Sequence, residues 1–270
     1  MAEGSRALSV GFIGYGTAAR QVARGIADGL AGSASLSAVL VRHLPEDSLG
    51  GVAVTTDREE FLTHPLDLVV ELAGQQAVQQ HGEAVLASGR DFLPISIGAL
   101  ADDDLRARLC AAAAAHDCHL LLPSGAIGGL DALSSAAVGG LDEVTLTTRK
   151  PPDALQTGTD RDASLSEAVT EPVLLFDGSA REAVRLYPAN VNVAAALSLA
   201  GVGFDRTRVR IYADPGVTRN THEVQARGWF GELRFTIMNI PTENPKTGRI
   251  TALSVLKAIS NLQSPAVLVG

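Results

Sequence analysis

Over the first half of the chain, short apolar runs alternate with stretches of helical periodicity. Residues 9–13 (SVGFI) read as an apolar strand, followed by a glycine turn and then by Val22, Ile26 and Leu30 at helical spacing. Further strands are predicted at 36–41, 52–55, 66–72 and 92–97, with helices at 77–88, ended by Gly89, and at 102–116. Leu120 to Leu122 read as the end of another buried strand, stopped by Pro123, and a helix is expected over 131–138 after the glycines at 125, 128 and 129. Strands alternating with helices predict a doubly wound α/β sheet. Beyond residue 131 the order changes to a strand at 143–149, helices at 179–186 and 190–200, and three strands in close succession at 207–213, 221–227 and 232–239. That order predicts a mixed or antiparallel sheet, hence a second domain of α+β type. A last helix at 251–262 carries Leu253, Leu256 and Ile259 as an apolar stripe that needs a partner, and it is expected to return to the first domain. The expected division is therefore 1–125 plus 246–270 for the first domain and 126–245 for the second.

Composition narrows the function. With 46% hydrophobic and 19% charged residues, 270 residues can build a sizeable core. A net charge of −8 without a basic block argues against nucleic acid as a partner. No apolar run reaches the roughly 18 residues a membrane span requires and no secretory signal is recognisable, so a cytoplasmic protein is expected. Cys118 and His119, with Cys110 and His116 nearby, invite a metal reading, but neighbours in an extended segment point to opposite faces, and no metal is expected.

The turn after the first strand reads Gly14-Tyr15-Gly16-Thr17-Ala18-Ala19, a GxGxxA pattern between a strand and a helix. Gly14 permits the tight turn, Gly16 lets the backbone approach a pyrophosphate, Ala19 keeps the helix close, and the N–H groups at Thr17 and Ala18 face the anion. Ala19 replaces the more usual glycine, which leaves the fold intact. A nicotinamide dinucleotide is the cofactor this implies. After the second strand stands Arg42-His43 rather than the Asp or Glu of an NAD-preferring site, so the cofactor is expected to be NAD or NADP, with NADP at least tolerated. Ala73-Gly74 and Gly98-Ala99 lie at strand ends where small residues let a nicotinamide ribose approach. The second glycine turn, SGAIGG at 124–129, is expected to face the reactive end of the dinucleotide.

Among six histidines, His222 stands out by parity. In THEVQAR it shares a strand face with Val224 and Ala226, and so points inward; the alternative is a satisfied core histidine. His43, His64 and His81 are expected in or beside loops. Lysine occurs three times, and Lys150 and Lys246 both adjoin proline, which marks them as contacts for an anionic substrate or as braces of their own loops.

The set SGAIGGLDAL (124–133), TRKPP (148–152), YPANVNVAAALSLAG (187–201), THE (221–223) and NPKTGRITALSVLKA (244–258) resembles the L-aspartate dehydrogenase family over nearly the whole chain. The resemblance implies a Rossmann domain plus an α+β substrate and dimerisation domain, a homodimer, and reversible NAD(P)-dependent oxidative deamination of L-aspartate to oxaloacetate and ammonia through iminoaspartate. It implies His222 as the catalytic histidine and Ala126, Asn192 and Asn190 as cofactor contacts. An imidazole with a pKa near 6.5 suits the proton steps. The rivals are another two-domain oxidoreductase, of homoserine dehydrogenase or dihydrodipicolinate reductase type, and a non-catalytic NADP(H) sensor.

Overall fold

A computed structural model describes residues 7–46, 48–152, 170–187, 191–240 and 249–263. The chain divides into two compact units, Met1–Pro123 with Thr251–Gly270, and Ser124–Ile250.

The first unit is built on a five-stranded parallel sheet of order β3-β2-β1-β4-β5. Its strands are β1 (Ser9–Ile13), β2 (Ser35–Leu40), β3 (Ala53–Thr55), β4 (Leu68–Glu71) and β5 (Asp91–Pro94). The central three read as near-continuous apolar runs because helices cover both faces. On one face α1 (Thr17–Ala27) and the last helix, α8 (Arg249–Asn261), enclose Val10, Phe12, Val22, Val70, Val255, Leu256 and Ile259. Leu253 is 55% exposed, and Ala252 and Val255 take its place in the buried stripe. Gly25 lets α8 lie close, since a Cβ there would run into the Leu256 side chain. Against the other face stand α2 (Arg58–Thr63), α3 (Gln75–Ala87) and α4 (Asp103–Ala115), and Gly11 leaves room for Leu66 and Phe61.

Leu120 to Leu122 do not form a strand. Leu120 makes only an isolated bridge to Phe92, and Leu122 is exposed. Where the apolar pattern predicts strand as far as residue 97, β5 ends at Pro94, and a short 3-10 helix, Ile97–Ala101, follows.

The second unit carries a mixed sheet of order β10-β9-β6-β8-β7, in which only β6 and β8 run parallel. Its strands are β6 (Leu141–Lys150), β7 (Val173–Ser179), β8 (Thr207–Ala213), β9 (Asn220–Gly228) and β10 (Gly231–Asn239). Its helices are α5 (Leu130–Gly139), α6 (Ala180–Leu186) and α7 (Val191–Ala200). Strict alternation puts Val144, Leu146 and Thr148 of β6, Val209 and Ile211 of β8, and His222, Val224 and Ala226 of β9 on the buried face. Residues 193–198 of α7 are all buried; the three alanines among them keep the helix slim, and a Cβ at Gly201 would lie 3.3 Å from Leu133 and 3.5 Å from Val144. The opposite face carries exposed ion pairs such as Arg208–Asp177 and Arg234–Glu232. Among the described residues no helix is long and apolar enough to cross a membrane.

Candidate active site

The helix starts differ in a way that bears on anion binding. Helices α2, α4 and α6 are capped by their own side chains, Asp57, Asp102 and Ser179, each accepting a backbone N–H three residues on. By contrast α1, α3 and α5 begin at Gly16, Gly74 and Gly129 with no side-chain cap. Of these only α1 has no carboxylate at its start, since Glu71 accepts the Gly74 N–H ahead of α3 and Asp131 stands in the first turn of α5, so the leading N–H groups and positive dipole end of α1 are the ones left for an anion.

Helix α1 opens on a cavity of about 950 Å³ in the first unit, lined among others by Gly14, Tyr15, Gly16, Arg42, Ala73 and His81. Gly14 has φ +91°, and a Cβ there would lie 2.7 Å from the Cβ of Ala73; at Gly16 nothing lies within 4 Å, which leaves room for a phosphate. The cavity sits where β1 is flanked by β2 on one side and β4 on the other, the reversal of strand order at which open α/β sheets bind ligands. These residues fit a dinucleotide. Thr17 and Ala18 form the first turn of α1 and are not part of the cavity lining. Beyond β2 the rim carries exposed Arg42 and His43 and also Glu46. It thus offers a cation for a 2′-phosphate and a carboxylate for a 2′-hydroxyl. Glu46 escaped the sequence reading because it follows β2 by six residues, across a proline.

Two features of this unit correct or extend the sequence expectations. His81 lies within α3 and lines the cavity, rather than in a loop; its Nδ1 is buried without a hydrogen-bond partner among the described residues, and burial, then Arg58, push its pKa down. Glu71, fully buried at the end of β4, accepts from Ala73 N (2.7 Å), Gly74 N (2.6 Å), Ser96 N (3.1 Å) and Ser96 Oγ (3.1 Å). Burial raises its pKa against the pull of those bonds. One carboxylate therefore ties together the turns after β4 and β5. The acid that ends the apolar run LVVE (68–71) is its signal in the sequence.

In the second unit His222 is 3% exposed, and its Nδ1 lies 2.9 Å from Oγ1 of Thr148, its direct partner on the antiparallel neighbour β6. Lys150, two residues further along the same face of β6, is 8% exposed. Burial, and after it the positive charge of Lys150, lower the His222 pKa to about 4, well under the ordinary value near 6.5. The ring is neutral at any physiological pH. The end of β6 is held by Asp214, which donates its N–H to the Lys150 carbonyl at 2.8 Å and accepts from Arg149 at 2.9 Å; the Arg149 guanidinium also stacks over Tyr212. Nearby in the sheet, Asn239 donates to the Ala126 carbonyl at 3.0 Å, and its cross-strand partner Asn220, on the His222 face of β9, has a buried Oδ1 with no hydrogen-bond partner among the described residues.

The structure thus brings His222 and Lys150 together. It places Ala126 in the turn ahead of α5, tied to β10, and Asn192 exposed in the first turn of α7. Asn190 and Lys246 lie outside the described residues. Thr148, Asn239 and Asn220 were not legible beforehand, because their relation to the histidine depends on which strands pair. Among the described residues no group of three or more His, Cys, Asp or Glu could hold a metal ion.

Residues 131–262 match the family model described as aspartate dehydrogenase, C-terminal, and residues 14–123 match that described as homoserine dehydrogenase, NAD binding domain. The L-aspartate dehydrogenase of Methanosarcina barkeri is 41% identical over 269 residues, covering 96% of this chain and 98% of its own. L-aspartate dehydrogenase 2 of Bordetella pertussis is 42% identical over 253 residues, covering 93% and 95%. The crystal structure of aspartate dehydrogenase from Thermotoga maritima superposes with a TM-score of 0.78 at 28% identity, covering 97% of this chain and 99% of that one. The homoserine label attaches to the nucleotide-binding half alone, whereas the half that carries the buried histidine matches aspartate dehydrogenase, and on this evidence the chain belongs to the L-aspartate dehydrogenase family.

Proposed function

We propose that this protein catalyses the reversible NAD(P)-dependent oxidative deamination of L-aspartate to oxaloacetate and ammonia through iminoaspartate. The observation that carries the mechanism is the buried, neutral His222 beside Lys150. In this reading His222 takes a proton from the substrate ammonium, so that the Cα–H bond can break with its electron pair leaving as hydride and a C=N bond forming in its place. NAD(P)+, when bound, supplies the hydride acceptor. Water then adds to the imine carbon, His222 manages the protons of that addition, and ammonia leaves.

A ring held near pKa 4 is a weak base, and the charge of Lys150 is part of the reason. A dicarboxylate placed against that ammonium offsets its charge and relieves that part of the lowering, burial being the larger part, and an amino acid with one carboxylate does so less well. The substrate would thereby help to prepare its own base. In the first unit Gly14, Gly16, Arg42 and Ala73 would hold the cofactor, with the N–H groups of Thr17 and Ala18 toward its pyrophosphate. In the second, Ala126 and Asn192, with Asn190 and Lys246 outside the described residues, complete the proposed cofactor and substrate contacts. The same reading takes the second unit as the substrate and dimerisation part of a homodimer, for which sedimentation should return the mass of two chains.

The test is NAD(P)H formation from L-aspartate at alkaline pH, with L-alanine and L-glutamate beside it. Turnover of aspartate well above the other two is the expected result. Equal turnover of all three, or none, would contradict the proposal.

A further inference from the structure

A neutral imidazole carries one proton, and its place decides what the ring can do. If the Thr148 hydroxyl donated to Nδ1, the ring proton would sit on Nε2 and leave no lone pair there to receive another. If Nδ1–H instead donates to Thr148 Oγ1, Nε2 is bare. The 2.9 Å contact admits either arrangement geometrically.

We propose that Thr148 is a positioning residue: its Oγ1 accepts from His222 Nδ1–H and holds the ring in the tautomer whose bare Nε2 receives the substrate's proton. The inference rests on reading His222 as the proton acceptor. Three observations favour it. After Nε2 gains a proton the ring carries N–H on both nitrogens, and only an acceptor at Nδ1 suits both states; a hydroxyl oxygen serves in each without reorienting. Thr148 faces His222 directly across the strand pair, and its β-branched side chain has a restricted χ1, which fixes where the oxygen lies. The charge balance also calls for an uncharged partner. Among the described residues on the helix-covered face, the charged side chain that acts on the ring is Lys150, while the residue opposite on β10 is Ile237 and buried residues of α7 are apolar apart from Ser198. A carboxylate in place of Thr148 would pair with Lys150 and stabilise the imidazolium, as the aspartate of a Ser-His-Asp triad does. A hydroxyl orients the ring without charging it, so that the substrate's own carboxylates bring the change in basicity.

The direct test is nitrogen NMR of the full chain labelled with 15N-histidine at neutral pH, the His222 ring being identified among six by its loss in His222→Gln. A protonated Nδ1 with a bare Nε2 is expected; the opposite tautomer overturns the inference. In turnover, Thr148→Val should lower kcat by about tenfold or more, with KM for aspartate and affinity for NADPH changed by less than about twofold, because a wrong tautomer leaves binding intact. Thr148→Ser should recover kcat to within about threefold of wild type. A fully active Thr148→Val, or a serine variant as impaired as the valine one, would also overturn it. Should His222→Gln itself prove fully active, the reading of His222 fails while the tautomer measurement still stands, so the two failures are distinguishable.

Discussion

The cofactor cavity and the His222 site are built on opposite principles. The cavity is open, floored by the glycine turn after β1 and walled by the ends of β2 and β4 and by α3, and charged groups such as Arg20, Arg42, His43 and Glu46 stand exposed along it. The His222 site is closed and made of side chains: an imidazole, a hydroxyl and an ammonium buried together on adjacent strands. Open sites exchange charges with water cheaply, so changes there tune affinity. A buried polar cluster has no water to fall back on, so each member sets the proton equilibrium of the others.

The difference can be measured most strongly through acid. Between pH 6.5 and about 4 the unfolded chain protonates this imidazole while the folded ring stays neutral, so the unfolded state binds more protons and stability falls as pH falls through that window. From about pH 7.5 to 4.5 this amounts to about 2–3 kcal/mol, roughly 10²-fold in the folding equilibrium. Urea titrations of wild type and His222→Ala should differ by that much in their loss of stability over the interval. Equal losses would show that the ring is not held neutral by its surroundings.

Next in size is the turn that shapes the cavity. Gly14→Ala adds a Cβ 2.7 Å from the Cβ of Ala73 at a φ of +91°, where L residues are strained by about 1–3 kcal/mol. Affinity for NAD(P)H should fall by about tenfold to 10²-fold, read by fluorescence titration, and the acid sensitivity above should not change. A variant that binds as wild type would remove this turn from the site.

Smaller again are the rim charges. Arg42→Asp should shift the ratio of NADP to NAD affinity toward NAD by about tenfold, the scale of a charge-assisted bond to phosphate. Glu46→Gln should move the ratio the other way by about threefold, since a hydroxyl contact at an exposed rim is weaker. If both ratios stay put, the ribose does not meet this rim.

The same contrast explains what the sequence made legible. Gly14 to Ala19 is contiguous and its constraints are local, so the turn, the helix behind it and the dinucleotide could be read together. Alternation in THEVQAR showed that His222 faces inward, but its partner Thr148 is 74 residues away, and only the strand order β10-β9-β6 makes them neighbours. Short elements were missed for a related reason. Helix α2 has only six residues, and its capping by Asp57 outweighs a weak apolar pattern. Edge strand β7 exposes Val173 and Leu174 and so lacks the inside-outside alternation of β8 and β9. Leu120 to Leu122, in contrast, has the composition of a buried strand but makes only one bridge, to Phe92. The lowering of the His222 pKa from the ordinary imidazole value is not legible in the local sequence, because burial and the charge of Lys150 belong to the folded strand pair.

The central claim is that His222 is the proton acceptor for L-aspartate oxidation, and His222→Ala tests it when kcat, NADPH affinity and melting temperature are measured on one preparation. The account predicts a kcat lowered by about 10²-fold or more, the usual contribution of a general base, with cofactor affinity nearly unchanged. A variant that melts earlier yet turns over aspartate at the wild-type rate per folded molecule would contradict it.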